Sequence, residues 1–300
     1  MKKFFLLITL LALLPSLAIA KLNVFACEPE WAALADELAG DLVNTNSATN
    51  ALQDPHYIQA RPSLISKVRR ADLVVCSGAQ LEIGWLPRLL QKGNNPGVLP
   101  GKPGFLEASM FVNRLDISGD TDRSQGDVHP QGNPHVQMNP HNILLIGEVM
   151  MNRMSELDPA NAATYSKRFE NFRKRWSEAI ANWEERALSL QGQRVIVHHK
   201  SWIYLEDWLG LTKVATLEPI SGIPPTAGHL ASLLKQFGNN GDADYIIRAP
   251  FQSEKPSRWL SERSGIPAVM LPLTVGGSPG ATNLFTLFDD ILNRLLTAQP

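Results

Sequence analysis

The 300-residue chain predicts an α/β fold of two lobes, each with a parallel sheet flanked by helices, joined by one long rigid helix. Three observations predict it. Short, continuously apolar runs alternate with helix-forming segments, the pattern of a parallel sheet covered on both faces. The pattern occurs twice. Between the two occurrences stands an unbroken helical periodicity from Asp158 to Gly192.

Residues 1–20 read as an export signal rather than as part of the fold. Lys2 and Lys3 give the charged start, Phe4–Leu14 the apolar stretch and Ala18-Ile19-Ala20 a small-residue cleavage site, so that Lys21 begins the mature chain. The apolar run to Ala20 is marginal for a membrane span. No cysteine directly follows the cleavage site, which argues against a lipid anchor, and no later run is long enough to cross a bilayer. The mature chain is expected to be exported and soluble.

The first lobe is expected over 21–157. Leu22–Ala26 reads as a buried strand, Pro29–Gly40 as a helix, and residues 41–48 as a weaker strand. Pro62 opens a helix to about Arg70, as proline at a first helical position does, and Leu73–Val75 is again a strand. Residues 115–139, rich in Gly, Asp, Asn, Pro and Gln, must be loop, and a helix starts near Asn142.

The connecting helix is expected over 158–191. Asp158 suits the N-cap and Pro159 the first turn. Apolar side chains recur at Tyr165, Phe169, Phe172, Trp176, Ile180, Trp183, Ala187 and Leu190, and Gly192 ends the run. At ~1.5 Å per residue the helix is roughly 48 Å long, a strut between lobes, and its aromatic stripe reads as plain core. The second lobe, 192–300, repeats the pattern. Strands are expected over 194–198, 212–217, 244–247 and 268–271, and helices over 202–209, 226–237, 257–265 and 283–296.

Charge excludes one class of partner. The full chain carries a net charge of −1, and removing Lys2 and Lys3 with the signal leaves −3, so nothing points to nucleic acid. Cys27 and Cys76, the only cysteines, each end an expected strand. They form a disulfide in an oxidising compartment or are two small buried residues; the spacing leaves both open.

The chemistry sits in histidines. His56 lies in Asp54-Pro55-His56-Tyr57, His135 in Asn133-Pro134-His135, and His199 at the end of the strand through Val197. Ligands gather at the carboxyl ends of strands in open parallel sheets, and neutral imidazole is the commonest transition-metal ligand. A lone loop histidine is most often only solvated. The remaining histidines are weaker candidates: His129 reads as solvated loop, with metal capture as the alternative, His141 as a helix start, His198 as pointing to the face opposite His199, and His229 as structural.

These segments together resemble the periplasmic metal-binding proteins of zinc and manganese ABC importers. The resemblance rests on Asp54-Pro55-His56, Pro62-Ser63-Leu64, Ala71–Val75, Pro134-His135 through Pro140, and His199 followed by Tyr204-Leu205, and it extends over nearly the whole mature chain. It implies His56, His135 and His199 as metal ligands. It also implies a divalent cargo, Zn²⁺ in preference to Mn²⁺ because three imidazoles suit zinc. The implied partner is an inner-membrane ABC permease, served by a monomer in the periplasm. The family usually adds an Asp after the last strand of the second lobe, where Leu271 and Pro272 stand here. Glu28, Glu218 and Asp289 are the candidate replacements, with water as the other. Arg248 also stands where the family often has Glu, a charge that repels a cation unless it is paired or turned away. Two alternatives remain: a zinc-dependent hydrolase with a three-histidine open site, and a binder of manganese or another metal on the same fold.

Overall fold

The computed structural model describes residues 21–119, 122, 126–238 and 242–298; the export signal expected over 1–20 lies outside them. The first lobe runs β1 (Leu22–Ala26), α1 (Pro29–Ala39), β2 (Val43–Ser47), α2 (Pro62–Arg69), β3 (Leu73–Cys76), α3 (Leu86–Gly93), β4 (Phe105–Glu107) and α4 (Pro140–Leu157). The spine α5 (Ala162–Ala187) follows. The second lobe runs β5 (Arg194–Val197), α6 (Ile203–Leu209), β6 (Thr212–Thr216), α7 (Ala227–Phe237), β7 (Tyr245–Arg248), α8 (Glu254–Ser264), β8 (Ala268–Met270) and α9 (Leu284–Thr297). Both sheets are parallel throughout and share one topology, β2-β1-β3-β4 and β6-β5-β7-β8.

Strand alternation explains why both sheets read as continuous apolar runs. Val24 and Ala26 face an inner core, while Phe25 and Cys27 face an outer one with Leu64 and Val68 of α2, Leu89 of α3 and Trp85 just before α3. The second sheet repeats the arrangement, with Val195 and Val197 inward and Ile196 outward against α7 and α8. The inner core is continuous through both lobes.

The aromatic face of α5 is buried along its length, from Tyr165 through Trp183. It packs on α1 and α4 of the first lobe and α9 of the second. The helix is therefore a spine shared by both cores rather than a free strut. Short 3₁₀ turns at Pro159–Asn161 and Leu188–Leu190 extend it at each end. Asp158 does not cap the backbone; its carboxylate accepts from Asn161 Nδ2 and the Tyr165 hydroxyl, both at 2.7 Å.

Two elements differ from expectation by being present at all. Helix α3 and strand β4 are too short for periodicity to mark them, at eight and three residues. Helix α8 begins three residues before its expected start, because the Ser253 hydroxyl caps it by accepting from Lys255 N. Cys27 and Cys76, brought side by side at the ends of β1 and β3, form a disulfide. Among the described residues, no helix is long and apolar enough to cross a membrane.

Candidate metal centre

His56, His135 and His199 come from three separate loops and meet between the lobes, their nearest ring nitrogens all within 4.8 Å of one another. Each is held by its own local chemistry.

The loop after β2 fixes His56 through Asp54. One carboxylate oxygen, Oδ1, accepts from the His56 backbone N–H at 3.0 Å, an Asx turn, and from ring Nδ1 at 2.7 Å. Trp85 Nε1 donates to Pro55 O and anchors the turn to α3. Asn133 does the same for His135, accepting from its backbone N–H at 3.1 Å. The His135 loop is then clamped to the second lobe: Asn133 Nδ2 donates to Lys200 O at 2.6 Å, and the Tyr204 hydroxyl donates to Asn133 O at 2.9 Å. His199 follows the end of β5, and its Nδ1 donates to Glu218 Oε2 at 2.7 Å.

The arrangement therefore commits Nδ1 of His56 and of His199 to a carboxylate, which leaves the Nε2 lone pair of each facing inward. Carboxylate-held imidazole is how metal-ligating histidines are oriented and made more basic. His135 Nε2 is buried with no hydrogen-bond partner, an orphan of the kind a native structure uses for a ligand.

Electrostatics separates the rings. Burial disfavours the charged form of His56, but the hydrogen bond and charge of Asp54 outweigh it and raise its pKa. Burial, followed by the neighbouring His56 and His199, holds His135 well below the ordinary value, so it stays neutral.

Several expectations are corrected. His129 is not simply solvated loop: its Nε2 lies 3.2 Å from His56 Nε2, and its Nδ1 donates to Ala79 O at 3.1 Å. Burial, then the charge of His56, pushes its pKa down to about 4. His198 does not point away from the site, because β5 stops at Val197 and strand alternation stops with it; His198 Nε2 lies 3.7 Å from Glu218 Oε1. Of the three carboxylates weighed as a fourth ligand, Asp289 is on α9 with Trp183 and Arg186. Glu28 is buried beside Ser77 under the first sheet's end, and Glu218 is taken by His199. Leu271 is fully buried. Arg248 is paired, its guanidinium reaching Glu254 and the carbonyls of Ala249 and Gln252. His141 pairs with Glu184 on the surface, and His229 Nε2 binds Thr216 O.

The signals for what was missed are in the sequence. Gly126-Asp127-Val128-His129-Pro130 and Asn133-Pro134-His135 put two proline-flanked histidines in one polar loop. The Asp of Asp54-Pro55-His56 is also the acceptor its histidine needs. A cavity of about 720 Å³ along α3 is lined by none of these histidines; others of about 300 and 500 Å³ flank His199 and Glu218, and one of about 400 Å³ is lined by His56 and His129.

Fold defines the class first. The crystal structure of ZnuA superposes with a TM-score of 0.77 at 18% identity, covering 93% of this chain and all of that one. A manganese-bound periplasmic metal-binding protein from Candidatus Liberibacter asiaticus superposes at 0.73 with 18% identity, over 93% and 100%. The chain belongs to the family described as zinc-uptake complex component A, periplasmic (ZnuA), which matches residues 24–298. That family is named for uptake and not for a catalysed reaction. Among curated relatives, the metal ABC transporter substrate-binding lipoprotein ScbA of Streptococcus cristatus is 26% identical over 181 residues, 59% of this chain. The manganese ABC transporter substrate-binding lipoprotein PsaA of Streptococcus pneumoniae is 20% identical over 252 residues, 82% of this chain and 78% of its own length. The chain spans about half the length of the first of these relatives, 55%.

Proposed function

We propose that this protein captures a divalent transition metal, zinc, between its lobes and delivers it to the membrane permease of an ABC importer. His56, His135 and His199 are the ligands. The observation that carries the reading is the set of inward Nε2 atoms: two are bared because a carboxylate holds the opposite nitrogen, and the third is buried without a partner.

The same geometry favours zinc over manganese. Manganese wants carboxylate oxygen, and zinc is well served by imidazole. Both carboxylates nearest the rings, Asp54 and Glu218, are committed to Nδ1 atoms. The family description, zinc uptake, agrees with this preference, while several relatives carry manganese in their names. Export through residues 1–20 and action as a single copy in the periplasm complete the reading.

Competitive titration of metal-stripped protein at pH 7 tests it, with Zn²⁺ and Mn²⁺ in parallel against a chromophoric chelator. The expected outcome is one zinc per chain, held more tightly than manganese. Absence of zinc binding would sink the proposal, and tighter manganese would sink the choice of metal.

A further inference from the structure

We propose that His129 is a fourth metal ligand, carried into the site on a strap, residues 126–129, that is pinned to both lobes. This rests on the reading of the site as a zinc carrier and makes that site closed and four-coordinate, with nitrogen as every donor.

His56 Nε2 and His129 Nε2 stand 3.2 Å apart. Each ring gives its Nδ1–H to a group that can only accept, the Asp54 carboxylate for His56 and the Ala79 carbonyl for His129. In their neutral forms both rings therefore aim a lone pair at the other. Something positive has to lie between them, either one extra proton or a cation. With Zn–N bonds of ~2.0–2.1 Å, tetrahedral geometry puts neighbouring ligand nitrogens about 3.3–3.4 Å apart. The observed spacing fits two ligands sharing one zinc; His129 lies outside the group of three whose nitrogens are all within 4.8 Å of one another, so four-coordination needs the strap to move inward on the metal.

The strap is built rather than incidental. The Tyr57 hydroxyl donates to Asp127 Oδ1 at 2.7 Å, which ties it to the first lobe. Asp127 N–H donates to Ser221 O at 2.9 Å, which ties it to the second. Two glycines permit this approach. A Cβ on Gly126 would lie 2.0 Å from Ser221 O, and one on Gly222 would lie 2.3 Å from Asp127 Oδ2. Gly222 N–H in turn donates to Glu218 Oε2, the atom that also holds His199. The carboxylate that orients the second lobe's ligand thus also holds the turn on which the strap rests.

On the other side, Ala79 O is presented by a turn in which Ala79 and Gln80 both adopt positive φ, 48° and 68°. Such a conformation is disfavoured for residues with a Cβ and persists when surroundings impose it. Glu82 imposes it here, accepting from Ser77 N at 2.8 Å and from Gly78 N.

A catalytic zinc keeps one position open for water; a fully ligated one does not. X-ray absorption on the zinc-loaded mature chain counts the imidazoles. Four in the wild type and three plus a light oxygen donor in His129→Ala are expected, with zinc affinity about 100-fold weaker, the upper end of what losing an orienting partner costs. Gly126→Val, which pushes the strap off Ser221 without touching a ring, should also fall to three. Circular dichroism confirms that both variants fold. A wild-type site with three imidazoles, whose spectrum His129→Ala leaves unchanged, would overturn this inference and leave the zinc-carrier reading standing. A wild type that takes no zinc would overturn both.

Discussion

The two lobes share a strand order, yet their strand ends carry unequal chemistry. Sheet β2-β1-β3-β4 sends out the loops that bear His56, His129 and His135, and it is stapled by Cys27–Cys76. Sheet β6-β5-β7-β8 contributes His199 and its partner Glu218. After β8 it offers only Leu271 and Pro272, the former buried against the core. One topology used twice need not contribute twice. The first lobe presents most of the site, and the second closes it with one ring and one carboxylate. The clamp from Asn133 to Lys200 and Tyr204 sets the distance between them.

Four measurements bear on that asymmetry, taken from the largest expected effect downward. The staple comes first. Cys27 and Cys76 are 49 residues apart, a loop whose closure is worth about 4 kcal/mol in the chain-entropy account. Replacing both by serine should lower the thermal midpoint markedly, read by calorimetry with oxidised wild type alongside. An unchanged midpoint would remove one of the differences between the lobes.

Ligand removal follows. His135→Ala and His199→Ala should each weaken zinc by on the order of 100-fold, with the first-lobe change the larger because its nitrogen is fully buried. If His199→Ala bound zinc like the wild type, the site would belong to the first lobe alone.

The orienting carboxylates are the third pair. Asp54→Asn and Glu218→Gln should each cost about 10- to 100-fold in zinc affinity. Similar losses would mean that the lobes, unequal in ligands, orient them by one device. A loss confined to Asp54→Asn would sharpen the asymmetry instead.

The smallest effect is in pH. His56 has a raised pKa, so a proton competes with the metal there, and affinity falls as pH drops through that value. The loss is about tenfold per pH unit for each proton that must leave. His129, with its pKa near 4, is already neutral at pH 6–7, and burial holds His135 well below the ordinary histidine value, so neither has a proton to release there. Zinc binding followed by proton release at pH 6–7 should therefore yield fewer protons than there are histidines. The sign for the metal-free fold is opposite: a raised histidine pKa stabilises it below the unfolded value, and that stability is lost as pH rises through the folded one.

Much of this was legible in the chain. The buried strands, the aromatic row of α5 and the histidines of the Asp-Pro-His and Asn-Pro-His turns are local signals, readable from spacing and residue type. His129 stands out in the chain as a second proline-flanked histidine, but its approach to His56 was not legible. A polar loop without periodicity gives no clue to where it lies: Ala79, the partner of His129, is 50 positions away, and Tyr57 and Ser221, the partners of Asp127, are 70 and 94 positions away. His198 was misread because alternation was carried one residue beyond the end of β5.

The sequence by itself determined the two sheets, the spine and which residue types could hold a metal, because hydrophobic periodicity and turn chemistry act over a few residues. Tertiary structure alone decided which histidines meet, which nitrogen of each ring is bare and which carboxylate stands behind it. Those depend on contacts between loops far apart in the chain, and such contacts exist only once both sheets have packed against α5.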